Sequence, residues 1–92
     1  MLRKRKIADM PKEERLNRIA GHVEGIRKMV NSERYCVDII IQIRAARAAL
    51  KALEYDLLEE HLKNLAETIY SGKTVKKDKI EELKSLFDNF NN

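Results

Sequence analysis

The chain has 92 residues, a formal charge of +4, a single cysteine and 37% charged side chains. At this length it is expected to form one small domain over residues 1–92 whose isolated core is marginal, so oligomerisation is expected. One cysteine excludes an internal disulfide, and no apolar run approaches the roughly 20 residues that a membrane span needs.

The basic residues are unevenly placed. Residues 1–51 hold 13 Lys/Arg against 6 Asp/Glu, whereas residues 52–92 hold 6 against 9. A basic half on a chain of pI about 9.3 suits a polyanionic partner. The start, MLRKRK, is basic without a following apolar region and so does not read as an export signal. With the lone thiol, this points to a reducing cytoplasm. Residues 1–9 form a basic tail without periodicity, expected to order only against an anion.

A first helix is expected from about Pro11 to Val30. Pro11 suits the first helical position, and Glu13 and Glu14 complement the helix dipole. Leu16, Ile19, Val23, Ile26 and Val30 keep the alternating three- and four-residue spacing of a bundle seam. Gly21 and Gly25 each cost roughly 1 kcal/mol inside a helix, which suggests a close crossing of backbones. Arg15, Arg18 and His22 flank the seam, and His22 reads as a surface residue. Asn31-Ser32 breaks the pattern, with Ser32 expected to cap the next helix. The short connection makes the first two helices an antiparallel hairpin.

The stretch from Tyr35 to Gly72 dominates the chain. Cys36, Ile40, Ile43, Ala46, Leu50, Leu53, Leu57, His61, Leu65 and Ile69 recur at helical spacing with no proline among them. Such a helix is roughly 50 Å long, too long for its own globule to cover. Cys36 and His61 share its stripe but lie about 40 Å apart along one helix, so they cannot cooperate within one chain. Antiparallel pairing of two copies, with the two-fold near residues 48 and 49, brings Cys36 opposite His61 of the partner subunit. The alanines of Arg44-Ala45-Ala46-Arg47-Ala48-Ala49 allow close approach at that crossing, and two-fold symmetry makes two such sites. Arg44, Arg47 and Lys51 repeat the spacing of the basic row on the first helix, so the hairpin is expected to present both rows on one side.

Gly72 is a natural helix stop, and a third helix is expected from about Lys79 to Phe90. Asp78 and Glu81 have capping-box spacing, and Ile80, Leu83, Phe87 and Phe90 make its apolar face. The fold class is therefore all-α, three helices per subunit.

Enzymatic function is not supported. Ser71-Gly72-Lys73-Thr74 lacks the upstream glycine of a phosphate loop and follows no strand. No oxyanion hole or substrate cleft accompanies the Cys/His pair. A thiolate with an imidazole suits copper(I) or another soft or borderline ion, although Leu65, one turn beyond His61, supplies no ligand. The basic rows suit duplex phosphates, and the few aromatics disfavour stacking on single strands.

With these residues in view, the chain resembles the CsoR/RcnR/FrmR family, the copper-sensitive operon repressors and their relatives. The resemblance covers nearly the whole chain and rests on RLNRIAGHVEGIRKMV (15–30), RYCVDIIIQIRAARAALKAL (34–53) and LLEEHLKNL (57–65). It implies a three-helix subunit, an antiparallel dimer and usually a tetramer of two dimers. It also implies a cytoplasmic repressor that binds double-stranded operator DNA through basic residues and releases it when an effector reaches the Cys/His site. By position, Cys36 and His61 match the sensing ligands, while Tyr35 and Glu81 match residues that support the ligands in copper sensors. Arg15, Arg18, Arg44, Arg47 and Lys51 are the candidates for the DNA face.

The departures bear on the effector. Copper sensors place a second cysteine where Leu65 stands, and nickel/cobalt sensors place a histidine there. Formaldehyde sensors join their cysteine to an amino-terminal proline where this chain has Leu2, and persulfide sensors use two cysteines. The preferred reading is a Cys36–His61 site for copper(I) or another soft metal. The alternatives are a formaldehyde or thiol-modification sensor of the same family, and a non-DNA helical dimer that docks an acidic partner protein.

Overall fold

The computed structural model describes residues 10–89, and among them are three α-helices and no strand: α1 (Lys12–Asn31), α2 (Cys36–Tyr70) and α3 (Lys77–Asp88). The basic tail over 1–9 and Phe90 lie outside the described residues. Pro11 stands one residue before α1 as its N-cap, its carbonyl accepting from the Arg15 amide at 3.1 Å. That placement costs nothing, because a proline needs no amide partner there.

Two helix ends close by the same device. At α2, the Gly72 amide donates to the Ile69 carbonyl and the Lys73 amide to Thr68, with Gly72 at φ +83. This paired closure needs a left-handed residue, which glycine supplies. At α1, the Glu33 amide donates to Val30 and the Arg34 amide to Met29 in the same pattern, but the left-handed residue is Glu33 at φ 52. A side chain with a β-carbon is strained there.

Two caps expected from the sequence do not form. The Ser32 hydroxyl donates to the Lys28 carbonyl at 2.8 Å, so it closes α1 instead of opening α2. At α2 the Tyr35 carbonyl takes the first helical bonds, from Asp38 and Ile39. At α3 the N-cap is Lys76 without a side-chain cap, because the helix starts two residues earlier than expected. Asp78 falls in its first turn, where its charge complements the dipole.

The chain divides into two compact units, Met1–Leu53 and Glu54–Asn92. In the first, α1 withdraws Arg15, Ile19, His22, Ile26 and Met29 from solvent, and α2 withdraws Ile39, Gln42, Ala46, Ala49 and Leu53. Both sets keep the spacing of an antiparallel helix seam. In the second unit, Leu58 of α2 and Leu83 of α3 are the buried residues, while Ile80 and Phe87 stay largely exposed.

The expected single stripe on α2 is thus two stripes. Ala46 and Leu53 turn inward, whereas Cys36, Ile40, Ile43 and Leu50 remain exposed. Leu16, Val23 and Val30 of α1 are exposed as well, and with Ile40, Ile43 and Leu50 they range from 42% to 54% accessible. Seven-residue steps link the three on α1, and angular position places them on the same flank of the hairpin as the α2 stripe. Among the described residues no large side chain is fully buried. Most of the large apolar side chains among the described residues are therefore exposed.

Candidate effector and nucleic-acid site

Cys36 is the first residue of α2 and its thiol is exposed. His61, on the same helix, is exposed, and Leu65 one turn later is half-buried. Among the described residues no three His, Cys, Asp or Glu side chains of one chain converge on a common point. The thiolate and imidazole fit a soft or borderline ion, and the exposure of both leaves them free to reach across an interface. Tyr35, just before α2, is exposed, and so is Glu81 of α3.

The basic candidates separate into distinct settings. Arg15 is buried, whereas Arg18 is exposed and reaches the Met10 sulfur at 3.6 Å. Both line a cleft of about 220 Å³ together with Ile19, His22, Ala49 and Ala52. Arg44, Arg47 and Lys51 are exposed and do not line it. The 100° step of a helix keeps Arg47 within the Ile40/Ile43/Leu50 stripe and carries Arg44 and Lys51 round α2 beyond it, away from Ala49. Arg44 and Lys51 thus do not share the cleft that Arg15 and Arg18 line, so the two basic rows do not make the single face expected from their equal spacing.

One interaction was not anticipated. His22 is half-buried, and its Nε2 lies 2.9 Å from Oε1 of Gln42, joining α1 to α2. His22 is therefore a seam residue and not the surface residue expected. Gln42 falls at a position of the α2 seam otherwise filled by Ile39, Ala46, Ala49 and Leu53, and a polar residue in that register was the signal available in the sequence. On the exposed side of α1, Arg27 makes three hydrogen bonds to the Glu24 carboxylate, which hold that carboxyl below its ordinary range.

The sequence profile of the metal-sensitive transcriptional repressors matches residues 12–89, a span that includes all three helices. The chain belongs to that family. As a member it is a transcriptional repressor, not an enzyme, and operator DNA is its partner. The repressor is 46% identical over 77 residues to the copper-sensing transcriptional repressor CsoR of Bacillus subtilis, a match covering 83% of this chain and 74% of the relative. It is 44% identical over 48 residues to the copper-sensing repressor RicR of Mycobacterium tuberculosis, covering 52% of this chain and 50% of that one. Its fold matches the crystal structure of CsoR with Cu(I) from Geobacillus thermodenitrificans with a TM-score of 0.77 at 35% identity, covering 100% of this chain and 95% of that one. It also matches the nickel-responsive regulator InrS, with a TM-score of 0.71 at 27% identity and 98% coverage of both chains. The all-α, three-helix subunit expected from periodicity is thereby established. No described helix is long and apolar enough to cross a membrane.

Proposed function

We propose that the repressor works as an antiparallel homodimer, paired further into a tetramer in the cytoplasm, that leaves its operator when copper(I) reaches Cys36 and His61 of the partner subunit. The observation that carries this reading is the register of the exposed stripe on α2. Its heptad positions are Cys36, Ile40, Ile43, Arg47, Leu50, Glu54, Leu57 and His61. They fall into pairs (36 with 61, 40 with 57, 43 with 54, 47 with 50) that are symmetric about the midpoint between Ala48 and Ala49. A helix with such a register superposes on its own reverse. Two copies laid antiparallel then match apolar to apolar at Ile40 against the partner's Leu57, and thiol to imidazole at the two ends. The exposed Leu16, Val23 and Val30 of α1 complete the covered face. The whole of residues 1–92 serves as one such domain.

Copper(I) suits the donor pair by softness, and relatives at 46% and 35% identity are named for it, against a nickel-responsive relative at 27%. Cys36 and the partner subunit's imidazole would hold the ion, which would link the two subunits when bound. Cys36 provides the thiolate and the imidazole the nitrogen, while the apolar Leu65 keeps the far side of the site without a further donor. Tyr35 and Glu81 support the ligands. Differential binding of the ion to the DNA-free arrangement is what shifts the equilibrium.

Arg18, Arg44 and Lys51 face outward and meet operator phosphates. Arg47 lies in the pairing register, so its stem packs across the two-fold while its guanidinium reaches the rim. Arg15 reaches DNA only as part of the cleft wall.

Fluorescence anisotropy with the duplex upstream of the protein's own gene tests this. Affinity should fall steeply with salt, and copper(I) should release the wild type. Cys36→Ala and His61→Ala should bind DNA as the wild type does and ignore copper(I). A salt-independent affinity, or a Cys36→Ala chain that still responds, overturns the reading. Release by formaldehyde but not by copper(I) overturns the choice of effector.

A further inference from the structure

We propose that the His22–Gln42 hydrogen bond is a pin that fixes the register of α1 on α2 and so aims the basic cleft at operator phosphates. His22 and Gln42 are then positioning residues for DNA binding, an assignment that rests on the repressor reading above. The bond spans 2.9 Å between the two helices, and both side chains are half-buried. Between Ile39 and the buried Leu53, the α2 side of the seam beside Gln42 offers only methyl groups: Ala46 is buried, Ala49 half-buried, and Ala49 and Ala52 line the cleft.

Methyl groups form shallow grooves, so apolar packing here resists sliding poorly. A one-residue slip moves a helix by about 1.5 Å and turns its side chains by about 100°. Apolar contacts between alanines survive small movements of that kind in part. The imidazole and the amide do not, because each loses its partner while still withdrawn from water. A polar pair in an apolar seam thus selects one register among several of similar packing energy.

The selected register matters for the cleft. His22 lines it beside Arg18, one turn earlier on α1, and Arg15, nearly two turns earlier. The opposite wall is Ala49 and Ala52 of α2, which carry no charge. Where the exposed Arg18 guanidinium stands relative to α2 is therefore set by how α1 sits on that wall. Arg44 and Lys51 are carried by α2 itself, so the pin also fixes the spacing between the two basic rows. Loss of the pin leaves every phosphate-binding cation in place but blurs their mutual geometry.

The test compares wild type, His22→Ala, Gln42→Leu, the double variant and Gln42→Glu, which keeps an oxygen acceptor. Circular dichroism melts confirm that each is folded. Operator affinity should fall about three- to tenfold in either single variant, the range of one hydrogen bond's net contribution. The double variant should lose no more than either single one, and Gln42→Glu should regain most of the affinity. The slope of affinity against salt should stay at the wild-type value, since no phosphate contact is removed.

Wild-type affinity in all variants overturns the pin alone. A salt slope lowered by about one in His22→Ala but not in Gln42→Leu also overturns it, because His22 would then touch phosphate itself. A wild type that binds no duplex overturns the repressor reading and the aim of the pin together.

Discussion

Replacement of Leu50 by alanine measures whether the exposed stripe is a subunit contact. Leu50 is 47% exposed in the single chain, midway along the heptad register of α2. Full burial of a leucine side chain is worth about 1.5–3 kcal/mol, so covering the exposed half contributes about 0.7–1.5 kcal/mol. Two-fold symmetry counts the contact twice, which makes about 1.5–3 kcal/mol per dimer. Alanine keeps only the β-carbon and forfeits most of that. The dimer dissociation constant should rise roughly 10- to 150-fold, readable by sedimentation equilibrium across a dilution series. Ile41→Ala is the control: Ile41 is 55% exposed but lies on the opposite flank of α2, away from the stripe. An unchanged constant for Leu50→Ala, or an equal loss for Ile41→Ala, would refute the symmetric pairing.

Five further outcomes follow from local features. Glu33→Gly should raise stability by about 0.5–1 kcal/mol, seen as a higher melting temperature, because φ 52 strains a residue with a β-carbon. Gly25→Ala should also stabilise, by up to about 1 kcal/mol, since a β-carbon there meets nothing within 4 Å in the chain; a dissociated or destabilised variant would reveal a backbone of another subunit packed on that face. Arg18→Ala should reduce the salt slope of operator binding by about one while leaving the melt unchanged, whereas Arg15→Ala should cost about 1–3 kcal/mol of stability because its side chain is buried in the seam. In a carbon-detected titration, Glu24 should ionise below the ordinary carboxylate range and return to it in Arg27→Ala. Because the folded value is lowered, the small stabilisation from this pair is present above the unfolded value and lost as pH falls through the folded one.

The amino-acid sequence by itself determined the number, type and rough extent of the helices. Periodicity and glycine placement act within one or two turns, so they are legible without knowing what packs where. It also marked Cys36 and His61 as sharing a stripe, because a fixed angular step converts spacing into direction. What the sequence did not decide was how that stripe divides. Ala46 and Leu53 turn toward the seam and Ile43 and Leu50 toward solvent, yet 43, 46, 50 and 53 form one unbroken apolar series. Only the docking of α1 separates them, since a helix apolar on most sides has no preferred face until a neighbour takes one. The same docking buried Arg15, paired His22 with Gln42 and left Arg44 and Lys51 away from the cleft that Arg15 and Arg18 line. Spacing along one helix is silent on these points, because they depend on where the second helix lies.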